Sequence, residues 1–163
     1  MEIRVILLPT DFSECASHAR SYAASFARSM NASLLCVHVI EPMPPAIGYT
    51  GLTEPLPMAD FADEMQDSAV RELPKISGAV EFAGLNVEEI ITHGEPATEI
   101  VRLAHERSVD LIVISTHGRT GLQRMLFGST AESVVRRAPC PVLVVKPPRG
   151  NDQRLVQRTV RDG

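Results

Sequence analysis

The chain has 163 residues, of which 44% are apolar and 22% are charged, values that are typical of one globular domain with a sizeable core. Aromatic residues make up 4% and tryptophan is absent, so the core is predicted to be aliphatic. The formal net charge of −4 argues against a nucleic-acid-binding protein, because surfaces that bind duplexes are usually rich in Lys and Arg.

The first part of the chain alternates between strand and helix patterns. Residues 3–8 are an aliphatic run and are predicted to form the first strand; the run is too short for a signal peptide or a membrane span, so we expect a cytoplasmic protein without membrane insertion. Residues 13–30 carry apolar side chains at helical spacing. Residues 33–40 are predicted to form the second strand. Residues 41–58 contain five prolines and two glycines, which predicts a loop. Because this loop follows the carboxyl end of the second strand, we expect residues 42–57 to form a flexible flap near a pocket there.

The middle of the chain repeats the alternation. Residues 59–83 are predicted to be helical, with Pro74 expected to kink the helix or end its first part. Residues 87–92 are predicted to form the third strand and residues 111–115 the fourth. Between these two strands, residues 96–106 place apolar side chains on one helical face.

The last predicted elements are a helix at residues 129–137 and a fifth strand at residues 141–146. The sequence therefore suggests one domain at residues 1–147, followed by a polar tail at 148–163 that we expect to be weakly ordered in a monomer. The first, fourth and fifth strands are continuous aliphatic runs, which indicates strands buried on both faces. The alternation predicts a doubly wound α/β domain with a parallel sheet and helices on both faces.

The cysteines and histidines do not form a recognisable metal or redox motif. Cys15, Cys36 and Cys140 contain no C-x-x-C pair, so we interpret them as reduced packing residues of a cytosolic protein. The five histidines show neither H-x-x-x-H nor H-E-x-x-H spacing, which argues against a metal site of that kind.

The segment between the fourth strand and the next helix carries the most informative motif. It reads Ser115-Thr116-His117-Gly118, followed after nine residues by Gly128-Ser129-Thr130. In an open parallel sheet, ligands bind outside the carboxyl ends of the strands, and a glycine-rich loop lets backbone N–H groups approach an anion. A helix that begins after Gly128 suits a phosphate. The alternative is that Gly118 and Gly128 serve turn geometry alone.

These residues resemble the signature G-x-x-G-x9-G-[ST] of the universal stress protein family, with Ser115 in place of the first glycine. Four other segments resemble the family in the same order: residues 9–13, 37–39, 93–96 and 138–145. The resemblance covers residues 3–146. It implies a five-stranded parallel sheet in the order 3-2-1-4-5, similar to the adenine nucleotide α-hydrolase fold, and a nucleotide ligand, with ATP as the first expectation.

The resemblance also implies roles for individual residues. Asp11 is expected to reach the nucleotide or an associated Mg²⁺ or Mn²⁺ ion. The adenine slot is expected to be lined by Pro9, Val39 and Ile114. The ribose and phosphates are expected near Ser115, Gly118, Gly128, Ser129 and Thr130. Asp11 has a second interpretation, since Asp11 and Glu14 form a D-x-x-E arrangement that suits the cap of the first helix.

Several functions remain open at this point. The sequence contains no G-x-x-x-x-G-K-[ST] loop, no G-x-S-x-G nucleophile elbow and no obvious general base for a water. We therefore assign no catalytic residue and expect a stress-response binder or switch with at most slow ATP hydrolysis. The first alternative is a family member that binds no ATP and acts through dimer and partner contacts, which Ser115 in place of the first glycine would favour. The second is a slow ATPase or a cyclic AMP binder. The third is a regulatory subunit of a transporter or kinase.

The fifth predicted strand suggests a homodimer. In the order 3-2-1-4-5 this strand lies at an edge, and an apolar edge aggregates unless it is covered or paired. We expect a second copy to pair with it across a two-fold axis. The residues concerned are Pro141, Val142, Leu143, Val144 and Val145.

Overall fold

A computed structural model of the chain describes residues 2–42, 58–116 and 128–146, with only the backbone described at 58–61. The predicted loop at 41–58 and the predicted tail at 148–163 thus fall almost wholly outside the described residues. Five parallel strands form one sheet in the order β3-β2-β1-β4-β5, which confirms the predicted topology. The strands are β1 (Val5–Pro9), β2 (Ser33–Ile40), β3 (Val87–His93), β4 (Leu111–Ser115) and β5 (Val142–Val145).

Helices cover both faces of this sheet. They are α1 (Glu14–Met30), α2 (Met58–Ser77), α3 (Pro96–Glu106) and α4 (Ser129–Arg137), and a 3-10 turn forms at Val80–Phe82. Side chains of α1 and α2 pack with Ile6 and Leu8 in one core, whereas side chains of α3 and α4 pack with Leu7 in a second core. Because consecutive residues of a strand face opposite sides, β1 contributes to both cores and must be apolar throughout.

The predicted α2 differs most from the observed one. The helix passes through Pro74 and ends at Ser77, instead of ending near the proline or continuing to residue 83. Pro74 removes one backbone donor and lies in the last turn, where little helix remains to be disrupted. The Gly78 N–H then bonds to the Pro74 carbonyl at 3.0 Å and closes the helix end.

The ends of the predicted first and last strands also shift. The first strand begins at Val5 rather than residue 3, and the N–H groups of Arg4 and Val5 donate to the Asp110 carboxylate at 2.8 and 3.0 Å. It continues to Pro9, where β1 still pairs with Val37. The last strand is limited to Val142–Val145. Within the described ranges, no helix is both long and apolar enough to cross a membrane.

Cys36 supplies a direct test of the packing. Its side chain is completely buried in β2, and burial, with a smaller contribution from Glu89, raises the pKa of the thiol to about 12. In a Cys15→Ser/Cys140→Ser variant we expect Cys36 to be unreactive toward a thiol reagent at pH 8 and to react fully after unfolding, because the thiolate is the reactive form. The reaction is monitored through the absorbance of the released chromophore. Rapid reaction in the folded state would contradict this packing.

Candidate functional site

A cavity of about 420 Å³ opens at the carboxyl ends of β1, β2 and β4, a size within the range of small-molecule sites. The amino-terminal ends of α3 and α4 form its opposite wall. Eight of the nine residues predicted from the sequence line this one cavity: Pro9, Asp11, Val39, Ile114, Ser115, Gly128, Ser129 and Thr130. The ninth, Gly118, lies outside the described residues.

Hydrogen bonds determine the shape of the loop between β1 and α1. Ser13 is the N-cap of α1, and its side chain accepts the Ala16 N–H at 3.1 Å. Asp11 accepts both the N–H and the hydroxyl of Ser13, at 3.1 and 2.6 Å. The expectation that Asp11 and Glu14 form the cap is therefore wrong, because Ser13 lies one residue before the helix and occupies the capping position. Asp11 supports the cap indirectly while also lining the cavity.

The end of β2 provides the neighbouring wall. His38 is 7% exposed, and its Nδ1 lies 2.8 Å from the Thr10 carbonyl oxygen. The Thr10 N–H donates to the Val37 carbonyl at 2.8 Å. The His38 and Phe12 rings are 4.1 Å apart between centroids. The loop that carries Asp11 is thus bound to β2 at the edge of the cavity.

The start of α4 lies directly against the end of β4. The Gly128 N–H donates to the Thr116 carbonyl at 2.7 Å, and the Thr116 N–H donates to the Val145 carbonyl at 2.9 Å. Gly128 has a φ of −70°, so its conformation is open to any residue. Its own N–H is used in the Thr116 bond, and the donors that helix geometry leaves without an intrahelical partner are those of Ser129, Thr130 and Ala131.

The start of α3 has a different chemistry. Glu95 is its N-cap, and its carboxylate accepts the N–H groups of Ala97 and Thr98 at 3.0 and 2.7 Å. The Arg137 guanidinium lies 3.9 Å from the same carboxylate. The Thr98 hydroxyl first, and then the two backbone N–H groups and Arg137, lower the pKa of Glu95. Glu95 is therefore a carboxylate on the cavity wall at neutral pH.

This cap predicts a pH-dependent loss of stability. Glu95→Ala is expected to lower the free energy of unfolding by about 1 kcal/mol at pH 7. Because the folded-state pKa of Glu95 lies below its ordinary value, its contribution is complete above a pH of about 4.3 and is lost as the pH falls through the lowered pKa. Urea unfolding at pH 7 and at pH 3 measures the difference. Glu106→Ala, at the other end of α3, is the control, and equal losses for both variants would contradict the capping role.

Some lining residues were not predicted from the sequence. They are Thr10, His38, Glu41, Met65, Glu95 and Thr116. Glu95 had a recognisable signal, since an acidic residue just before a proline is typical of a helix start. His38 and Thr116 lie in segments that carry the family resemblance, but no local sequence pattern indicates that they line the cavity, because their positions depend on how the strands pair. Among the described residues, no group of three or more His, Cys, Asp or Glu side chains is arranged to hold a metal ion.

Comparisons with known proteins agree with this architecture. The family model for the universal stress protein family matches residues 2–146. The chain is 34% identical to the universal stress protein MJ0531 of Methanocaldococcus jannaschii over 144 residues, covering 88% of this chain and 82% of that protein. It is 33% identical to MJ0577 of the same organism over 153 residues, covering 86% of this chain and 93% of that protein.

Solved structures show the same similarity in three dimensions. The structure of MJ0577 superimposes with a TM-score of 0.78 at 30% identity, covering 92% of this chain and all of that chain. The universal stress protein UspA of Lactobacillus plantarum superimposes with a TM-score of 0.67 at 25% identity, covering 89% of this chain and 99% of that chain. The similarity therefore extends over nearly the full length of both solved structures.

Proposed function

The chain belongs to the universal stress protein family, and from this premise we propose that it binds an adenine nucleotide, with ATP as the expected ligand, in the cavity at the carboxyl ends of β1, β2 and β4. The observation that carries the proposal is the contrast among the three helix starts around that cavity. Ser13 caps α1 and Glu95 caps α3, each through its side chain. The N-cap of α4 is Gly128, which makes no side-chain cap bond.

This contrast gives the nucleotide an orientation. A helix start with unpaired N–H groups attracts phosphate, and at α4 those groups belong to Ser129, Thr130 and Ala131. The hydroxyls of Ser129 and Thr130 can add donors. At α3 the Glu95 carboxylate already accepts the corresponding N–H groups and repels an anion. The phosphates therefore lie at α4 rather than at α3.

The base is assigned to the apolar part of the cavity. Pro9 is the last residue of β1, Val39 is the penultimate residue of the adjacent strand β2, and Ile114 lies on β4. All three line the cavity, and their apolar side chains suit the faces of an adenine ring. Ser115 is the last residue of β4, is 7% exposed and lines the cavity, and the ribose is assigned to its neighbourhood.

Asp11 is assigned to the nucleotide or to a divalent ion that the nucleotide brings. Mg²⁺ commonly binds through one or two carboxylates together with substrate phosphates, and one protein carboxylate is enough for that arrangement. Asp11→Asn is therefore expected to reduce the dependence of ATP affinity on Mg²⁺. An unchanged ratio of the affinities with and without Mg²⁺ would remove Asp11 from this role.

We propose a binder or switch in the stress response rather than a catalyst, with cytoplasmic action and reduced cysteines. A second copy is assigned to the edge strand β5, where Val142, Leu143 and Val144 are each only partly buried. Pairing at that edge would give a homodimer in which nucleotide binding biases partner contacts. Residues 1–147 form the binding domain in this proposal.

The choice among adenine ligands needs a direct test. Two solved universal stress proteins with this fold are complexes with cyclic AMP and with dAMP. They are 23% and 24% identical to this chain, so they share the fold and serve here only to choose the test ligands.

The experiment identifies the nucleotide that the protein retains. Purified protein is denatured, and the released small molecules are identified by mass spectrometry, both as purified and after incubation with millimolar ATP, cyclic AMP, dAMP or GTP. We expect ATP at near one per chain and no retained GTP. Protein that is empty after every incubation would favour the alternative in which the family member acts through dimer and partner contacts alone.

A further inference from the structure

We infer that His38 is a positioning residue of the nucleotide site, holding Asp11 in place by contacting the residues on both sides of it. The inference rests on the proposed function, since it concerns the same cavity. His38 lies on β2 between Val37 and Val39, and all three residues line the cavity. His38 acts by fixing the position of the loop that connects β1 to α1.

The first contact is with the residue before Asp11. His38 Nδ1 lies 2.8 Å from the Thr10 carbonyl oxygen. A carbonyl oxygen only accepts hydrogen bonds, so Nδ1 must carry the proton and donate it. This bond fixes the ring orientation. Together with the Thr10 N–H to Val37 bond of 2.8 Å, it attaches Thr10 to β2 through both its donor and its acceptor.

The second contact is with the residue after Asp11. Phe12 has a φ of 65°, a left-handed conformation that is unusual for a bulky residue and marks a local constraint. Its ring packs on the His38 ring with a centroid distance of 4.1 Å and a tilt of 31°, and its N–H bonds to the Thr10 hydroxyl at 3.1 Å. The ring contact helps to compensate for the unfavourable backbone conformation.

The two contacts have one consequence for Asp11. The left-handed turn at Phe12 places the aromatic ring against the core that includes α1, while Asp11 lines the cavity. Because His38 contacts Thr10 and Phe12, the segment that carries the Asp11 carboxylate is held at both ends by one side chain. Loss of His38 therefore acts on the ligand through Asp11.

A pair of amide variants separates the bond to Thr10 from the ring contact with Phe12. The amide nitrogen of Asn can replace Nδ1, whereas that of Gln is one methylene further from the backbone. Neither amide replaces the ring contact with Phe12, so His38→Asn is expected to bind ATP about threefold more weakly than the parent. His38→Gln also loses the bond to Thr10 and is expected to bind about tenfold more weakly. Equal affinities of the two folded variants, measured by calorimetric titration with ATP and Mg²⁺, would overturn the inference.

A double-mutant cycle then tests whether the effect passes through Asp11. In an Asp11→Asn background, His38→Gln is expected to change ATP affinity by less than about twofold, because the group that it positions has already been altered. The same loss in both backgrounds would assign His38 a general structural role and overturn the inference.

A ligand-free measurement separates failure of this inference from failure of the proposed function. The Ser13 amide donates to the Asp11 carboxylate, so its hydrogen exchange reports on the loop. We expect faster Ser13 exchange in His38→Gln than in His38→Asn. A parent protein that binds no adenine nucleotide would overturn the proposed function. Unchanged Ser13 exchange in His38→Gln would overturn the inference that His38 fixes the position of the loop.

Discussion

Gly128→Val is expected to abolish detectable ATP binding, with a loss of roughly 100-fold or more, about 2.8 kcal/mol, while the domain still folds. Gly128 lines the cavity where α4 begins. A branched side chain at this position would occupy space that the phosphates need to reach the N–H groups of Ser129 and Thr130. The effect is one of volume rather than of backbone strain, because the φ of −70° is accessible to valine.

Matched variants locate the effect at the phosphate site. Gly128→Ala adds one methyl group and is expected to give an intermediate loss. Ser129→Ala removes one hydroxyl donor and leaves the backbone donors, so about 1 kcal/mol, roughly fivefold, is expected. Calorimetric titration with ATP and Mg²⁺ measures the affinities, and circular dichroism confirms folding. Folded Gly128→Val that binds ATP as tightly as the parent would show that the start of α4 is not the phosphate site.

Val144→Lys is expected to convert the proposed homodimer into a monomer. Val144 lies on the edge strand β5, and its side chain packs partly against the core beneath α4. Two copies paired along β5 would bring the two introduced charges close to the same interface, and like charges at a self-complementary edge oppose pairing. The free edge would then be charged, which protects it from further pairing.

The control is Val135→Lys, at an apolar residue that is 48% exposed and belongs to α4 rather than to the edge strand. Sedimentation at concentrations on the order of tens of micromolar favours association by mass action, and thermal melting verifies that each variant folds. Parent protein that sediments as a monomer would contradict the dimer. A Val144→Lys variant that remains dimeric would place the interface elsewhere.

The sequence predicts the framework well where one physical signal dominates. β1 is recognisable because its residues face two cores and are all aliphatic, and α3 because Pro96 begins a clear helical stripe. The end of α2 was mispredicted because a proline disrupts only the turn before it, so its position within the helix matters as much as its presence. The cap of α1 was mispredicted because two candidate residues, Asp11 and Ser13, both suit a helix start.

The candidate site is predictable in part for the same reason. Strand ends in a parallel sheet meet at one edge, so the grouping of Pro9, Val39 and Ile114 that the family resemblance implied can be recognised before any coordinates are known. The contact of His38 with Thr10 and Phe12 cannot, because it depends on the register of β1 with β2 and on a left-handed residue in the loop. Glu95 lies between these cases, since its capping role has a sequence signal but its place on the cavity wall does not.

The most direct test of nucleotide binding in this cavity is a methyl NMR titration of isoleucine-labelled protein with ATP and Mg²⁺. Ile100 and Ile114 line the cavity, whereas Ile6 is buried in the core on the other face of the sheet. We expect saturable shifts of the Ile100 and Ile114 methyl signals, with a stoichiometry of one per chain, and little change at Ile6. Saturable binding that leaves Ile100 and Ile114 unchanged, or no binding at millimolar ATP, would contradict it.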